Sequence, residues 1–476
     1  MTTSRQIAWN TASQVVARLA AMAIALATLV IVTRYLGVRE YGDLVAITVY
    51  ASVFGVFFDL GISTIVVRQL AQRLASPSDL IGSVLLLRLG LAAVVAAAAG
   101  LLAFPIYGGA EHHQLRLGIL IALPTILGTA VSSTVASYFQ AELKMARLAA
   151  LEVATQVVAL GLIALFAALD AGFYAIVAAT TAAIVFNALV ALALFRTLVP
   201  LRLHVDPARW RRLVVQALPI GVALILNVIY FRLDAFLLSV LKGSRDVGIY
   251  GIAFRFSEML TPFPLFFVAS VFPVMAAAIG AHNREQLWSV TQRAFDVLLL
   301  AAVPVVLGTI AIAPQLVRVL AGRAFGDAEL PLRLVVFGTG VAFLTTLFGY
   351  VLVALDRQRN GVWLSLVTLL VNLALNLALI PPYGYVAAAA AASGTDTLLL
   401  VGLLFMVRRY GGFTPSVAIG IRAAIAGGVM FGAVFAFHPT VPAAVALGVA
   451  VYGGALYLLG VPQQIELRQV LTRRAS

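Results

Sequence analysis

Apolar residues in this chain gather in blocks of about twenty, divided by short polar connections, from the first residues to the last. A helix of roughly 20 apolar residues spans the hydrocarbon core of a bilayer, so the blocks predict about fourteen transmembrane helices. The first six are expected over 12–34, 43–67, 80–107, 116–140, 147–169 and 172–196. The next six are expected over 213–241, 248–280, 291–313, 331–355, 361–380 and 385–407, and two more, 416–437 and 441–460, close the chain. The connections leave no room for an extramembrane domain. The longest polar stretch, Arg196 to Arg212, holds Arg202, Arg209, Arg211, Arg212 and Trp210, and reads as a partly amphipathic linker on a membrane surface.

A repeat divides this pattern. Leu36-Gly37-Val38-Arg39-Glu40-Tyr41-Gly42 returns 206 positions later as Lys242-Gly243-Ser244-Arg245-Asp246-Val247-Gly248. Glycine falls on glycine twice, arginine on arginine and acid on acid. Each copy joins two expected helices, and an even number of helices separates the copies, so both lie on one side of the membrane. The expected architecture is therefore an all-α integral membrane protein of two six-helix lobes, related by a pseudo-two-fold along the membrane normal, plus two extra C-terminal helices. The expected division is 1–200 for the first lobe, 201–410 for the linker and second lobe, and 411–476 for the last two helices and a cytoplasmic tail.

Composition sharpens the picture. Of the 476 residues, 62% are hydrophobic and 11% charged, against about a quarter charged in soluble domains. The net charge of +13 is nearly all arginine, Lys144 and Lys242 being the only lysines. Counting basic residues with the N-terminus inside gives nineteen on inner connections and eight on outer ones, which favours both termini in the cytoplasm. The first apolar block is interrupted by Arg18 and runs on to Tyr35, as a retained helix rather than a cleaved leader does. The basic residues are scattered between helices, which argues against nucleic acid as a partner. The chain has no cysteine, and its five histidines have no metal-ligand spacing, so neither a metal nor any other cofactor is expected. No Walker motif is present.

Ionisable side chains inside a span cost roughly 2.5–3.5 kcal/mol on insertion scales and need a reason. Arg18, Arg88 and Arg232 have no evident acidic partner in the sequence. They either snorkel to the headgroups or line a cavity that binds an anion. Asp59 and Asp396 are candidates for ion coupling. Asp234 and Arg255 fall at matching depths on adjacent antiparallel helices and read as a structural ion pair, and Glu258, three residues past Arg255 on the same face, is placed to share the guanidinium. Asn372 and Asn376 share a face suited to hydrogen bonding between helices. Pro262, Pro264 and Pro273 are dense enough to kink or hinge the span 248–280.

Three stretches carry a family resemblance: "RYLGVREYGDLVAITVYASVFGVFFDLGISTIVVRQLA", "RLDAFLLSVLKGSRDVGIYGIAFRFSEML" with the following "FPVM", and "VNLALNLALIPPYGYVAAAAA". They resemble the polysaccharide biosynthesis and export flippases of the multidrug/oligosaccharidyl-lipid/polysaccharide (MOP) exporter superfamily, which includes the Wzx-type O-antigen flippases. The resemblance implies a MATE-like fold, alternating access and a polyprenyl-pyrophosphate-linked oligosaccharide as cargo. It places the protein in a bacterial or archaeal cytoplasmic membrane, not an enzyme itself but working beside polysaccharide polymerase or glycosyltransferase machinery. Arg18, Arg88 and Arg232 are expected to hold the pyrophosphate by chemistry and depth alone, since a guanidinium offers phosphate a planar two-pronged donor. Three alternatives stay open: a MATE-type cation-coupled drug exporter with a carboxylate-lined cavity, a lipid II flippase, and a polytopic glycosyltransferase or polymerase.

Overall fold

Each expected span is helical in a computed structural model of the chain, which describes residues 3–109, 112–437 and 440–461. The helices are α1 (Thr3–Asp59), α2 (Ile62–Ala71), α3 (Pro77–Ile106), α4 (His113–Ala122), α5 (Pro124–Ala141), α6 (Met145–Ala168), α7 (Phe173–Arg196) and α8 (Pro207–Leu241). They continue as α9 (Ser244–Leu260), α10 (Pro262–Gly280), α11 (Arg284–Ala321), α12 (Glu329–Ala354), α13 (Gln358–Gly411), α14 (Ala418–Phe437) and α15 (Val441–Leu458). No strand occurs among the described residues. Twelve stretches are long and apolar enough to cross a membrane. Two of these stretches among the described residues, Ala20–Asp59 of α1 and Gln358–Gly411 of α13, have 40 and 54 residues, enough for two crossings each, which restores the expected fourteen. The expected cytoplasmic tail beyond 461, with Arg468, Arg473 and Arg474, and His438 lie outside the described residues.

The kinks that fold those two long helices sit where the sequence supplies glycine. Gly37 breaks α1 at φ 67° and Gly384 breaks α13 at φ 58°, a left-handed conformation that residues with a Cβ avoid. Pro381 and Pro382 precede Gly384 and remove two backbone donors from the same turn. The second copy of the repeat uses the same device: Gly243, at φ 93°, separates α8 from α9. The connection expected over several residues is thus a one-residue break at Gly37 in the first copy and a two-residue break, Lys242 and Gly243, in the second. Pro262 ends the α9 path at Thr261 and starts α10 at its first position, where a missing N–H costs nothing.

Contacts between residues divide the chain into two compact units, Met1–Gly248 and Ile249–Ser476. Helix α8 groups with the first unit because it packs along α1 and α2. Two close approaches of backbone fix it there. A Cβ on Gly61 would lie 2.7 Å from the Gly221 nitrogen, and one on Gly221 would lie 2.4 Å from the Leu60 carbonyl oxygen. At the other end of α8 the two copies of the repeat meet. A Cβ on Gly42 would lie 1.7 Å from the Ser244 carbonyl oxygen, and one on Gly248 would lie 2.2 Å from that of Val38. Val38 and Ser244 are equivalent positions, so the copies clasp each other reciprocally. The Ser244 hydroxyl also donates to Asp43.

The first unit is centred on an apolar cluster that includes Ile62, Val66, Ile81, Val84, Tyr138, Phe139, Phe195 and Leu213. The second is centred on Phe295, Leu298, Phe343, Leu347, Phe348 and Val351. There α14 and α15 dock on α11: Tyr452 donates to the Leu300 carbonyl at 3.0 Å, and Gln292 holds both the amide and the carbonyl of Ser416. Large apolar side chains remain outside, such as Leu101 at 73% and Leu458 at 85% exposure. Surface of this kind on a helical scaffold fits hydrocarbon, not water.

The start of α8 is capped by Asp206, whose carboxylate accepts from the Arg209 amide at 2.9 Å. That bond, then the Arg209 and Arg212 charges against a desolvation penalty, holds its carboxyl below the usual carboxylate range. A lowered native value means the cap is fully present above the ordinary carboxylate range and is lost as pH falls through the lowered value. Acid in that range is expected to speed amide exchange over residues 207–212, and Asp206→Ala is expected to do the same at neutral pH.

Candidate functional site

Two centres in the first unit bring intramembrane charges together. In the first, Arg88 of α3 is completely buried, at 0% exposure. Its Nη2 donates to the Asp59 carboxylate and its Nη1 to the Thr134 hydroxyl of α5 at 3.1 Å. The Phe58 ring lies 5.4 Å from the guanidinium carbon. The Asp59 oxygen that meets Arg88 also accepts from the Ser63 amide and hydroxyl, at 3.2 and 3.0 Å. Asp59 closes α1 just before the left-handed pair Leu60 and Gly61, at φ 45° and 77°, so this break aims the carboxylate at α3. The Nε of Arg88 is buried without a partner.

In the second centre, Arg18 of α1 pairs with Glu152 of α6 at 3.0 Å, with side chains 42% and 50% exposed. One guanidinium nitrogen is spent on Glu152, and Nε has no partner. Nearby in sequence on α6, Thr155 accepts from Asn187 of α7 at 2.7 Å. A half-exposed ion pair on apolar helices needs polar surroundings, which either the headgroup zone or a wet cleft supplies.

The expectation that Arg18 and Arg88 lack acidic partners therefore does not hold, because helix packing brings an acid to each. Arg232 is partly buried on α8 and has contacts of its own, and Asp234 is buried two residues on. In the second unit Arg255 pairs with Glu258 at 3.1 Å, one helical turn apart, as the spacing predicts. Asp396 is partly buried on α13, where a Cβ on Gly338 of α12 would lie 3.2 Å from its Oδ2. Pro262 and Pro264 stand in the first turn of α10 and Pro273 lies inside it. Asn372 donates to Thr395 at 3.2 Å, and Asn376 donates to Asn372, so the asparagine pair ties the two arms of α13 together.

Three participants escaped the sequence reading. Glu152 lies inside the span 147–169 and falls under the same rule as Arg18. Thr134 and Ser63 carry no signal, since hydroxyls are common in membrane helices and their partners are fixed only by packing.

The model of the family described as "Polysaccharide biosynthesis protein" matches residues 7–278, and the MatE family model matches residues 219–378. No curated protein sequence matches the chain. Among solved structures, the lipid II flippase MurJ in an inward closed conformation superposes with a TM-score of 0.79 at 14% identity, covering 96% of this chain and 99% of that one. An inward-facing multidrug resistance MATE family transporter of the MOP superfamily gives 0.66 at 16% identity, over 83% and 98%. A MOP superfamily transporter from Pyrococcus furiosus, described as having a binding pocket of reverse polarity, gives 0.57 at 15% identity, over 85% and 96%. These likenesses show that the chain shares the fold of those proteins, in keeping with its many apolar spans. The first family model covers more than half of the sequence, and the chain belongs to the polysaccharide biosynthesis protein family.

Proposed function

We propose that this protein is a flippase that carries a polyprenyl-pyrophosphate-linked oligosaccharide across the cytoplasmic membrane by alternating access. The observation that carries the reading is the Arg18–Glu152 pair, a half-exposed guanidinium on helices otherwise built for lipid. A pyrophosphate needs cations in a wet cleft, and Arg18 can take phosphate oxygens while still touching Glu152. Arg232, partly exposed on α8, is the second candidate contact. Arg88 has no exposed surface, so its part is indirect: it orients Asp59. The family match supports a polysaccharide precursor as cargo. One neighbour of the same fold is named as a lipid II flippase, which is compatible with a lipid cargo. Asp396 remains a candidate for ion coupling, and the α9–α10 break at Pro262 a candidate hinge.

The test is flipping of a fluorescent polyprenyl-pyrophosphate sugar in proteoliposomes. Arg18→Ala and Arg232→Ala should each slow it by roughly 10-fold or more, the value of a charge-assisted hydrogen bond of about 1.5–3 kcal/mol. Unchanged flipping in both variants would remove the site assignment. A cationic dye transported in place of the lipid would favour the drug-exporter alternative.

A further inference from the structure

The connection between α7 and α8, and the first turn of α8 after it, are held against α3 at three points. The Ser78 hydroxyl donates to the Pro200 carbonyl. Gly82 of α3 leaves room for the Arg202 carbonyl, which a Cβ there would approach to 1.9 Å. The Trp210 indole donates to the Ser83 carbonyl and hydroxyl at 3.1 and 2.9 Å. The irregular connection and the first turn of α8 are thus fixed in place by three small residues of one helix.

What it presents outward is cationic and apolar at once. Arg202, Arg211 and Arg212 are exposed, and none pairs with an acid among the described residues. Arg209 meets Asp206 through Nε at 3.3 Å and keeps a buried Nη1 without a partner. Asp206 is the one acid between Arg196 and Arg232, and its carboxylate is committed to Arg209. Interleaved with these cations, Leu203, Val205 and Val215 are 55%, 64% and 65% exposed. Apolar side chains that water would disfavour stand beside guanidinium groups that hydrocarbon would disfavour. The boundary between acyl chains and phosphates satisfies both.

We propose that the α7–α8 connection and the first turns of α8 together form a docking site for anionic phospholipid headgroups. Arg202, Arg211 and Arg212 take the phosphates, Leu203, Val205 and Val215 enter the acyl boundary, and Trp210, locked to Ser83, sets the depth. Charge complementarity selects the occupant: three unpaired arginines face a leaflet whose anionic lipids carry the opposite charge. The site is separate from the cargo-binding reading and survives its failure.

The experiment uses the full chain in detergent, titrated with phosphatidylglycerol or phosphatidylcholine, with bound lipid counted by native mass spectrometry and thermal midpoint recorded in parallel. Phosphatidylglycerol should bind and stabilise, phosphatidylcholine should not, and the effect should weaken with salt. The triple variant Arg202→Gln, Arg211→Gln, Arg212→Gln should bind about 100-fold more weakly. A control with the same charge change elsewhere, Arg116→Gln, Arg318→Gln, Arg323→Gln, should bind as the parent does. If the triple variant does not fold, Arg202→Gln and Arg211→Gln alone should each weaken binding about 5-fold. Equal binding of the two lipids, parent-like binding by the triple or single variants, or an equal loss in the control would each overturn the proposal.

Discussion

Gly42→Ala and Gly248→Ala should each destabilise the protein by about 2–3 kcal/mol, although alanine is the better helix former. The added Cβ at Gly42 would stand 1.7 Å from the Ser244 carbonyl oxygen and 2.9 Å from the Gly248 nitrogen. At Gly248 it would stand 2.2 Å from the Val38 carbonyl oxygen. These are backbone atoms in helices, and no rotamer change moves them away. Helix propensity returns only about 0.5–1 kcal/mol, so the clash wins. Gly55 and Gly90 provide the comparison, since a Cβ at either meets nothing within 4 Å. Alanine there should be neutral or mildly stabilising. Thermal unfolding of the four variants in one detergent reads the contrast. If all four behave alike, the two copies of the repeat do not clasp as described. Ser244→Gly should not rescue Gly42→Ala, because the atom in the way belongs to the main chain.

That clasp marks how far the sequence could be read. The repeat was legible as two matched heptapeptides, and the left-handed glycines at 37 and 243 follow from residue type. Nothing in either copy announces that the two touch, because contact across 206 residues is decided by packing. The same division runs through the charges. Arg255 and Glu258 lie one helical turn apart, so their pairing could be read directly. Arg88 and Asp59 were both visible as intramembrane charges, but their pairing depends on how α1 breaks at Leu60 and Gly61 and then packs on α3. The fourteen apolar runs were the most legible feature of all, since bilayer thickness fixes their length whatever the tertiary contacts. The grouping of α8 with the first unit was not legible, because Gly61 and Gly221 look like ordinary membrane-helix glycines until their backbones meet.

Asp59→Ala should be among the most damaging single substitutions in the first unit, costing about 3–5 kcal/mol. It leaves the Arg88 guanidinium at 0% exposure with the Thr134 hydroxyl and the Phe58 ring, and neither offsets a full positive charge. Arg88→Met alone should cost less. It strands Asp59, but that side chain is 23% exposed and keeps the Ser63 amide and hydroxyl. The double variant Asp59→Ala, Arg88→Met removes both charges and should recover most of the loss, since replacing a buried pair by apolar groups is often neutral or stabilising. A double-mutant cycle on thermal or denaturant stability measures the coupling, expected at 2 kcal/mol or more. Additive effects would mean that the two side chains do not depend on each other. The flipping assay applied to the recovered double variant then separates two roles. Full transport would make the pair a device of packing alone. A stable but inactive protein would mean that the charge beside the Leu60–Gly61 break is used during transport, through a carboxylate that Arg88 only positions.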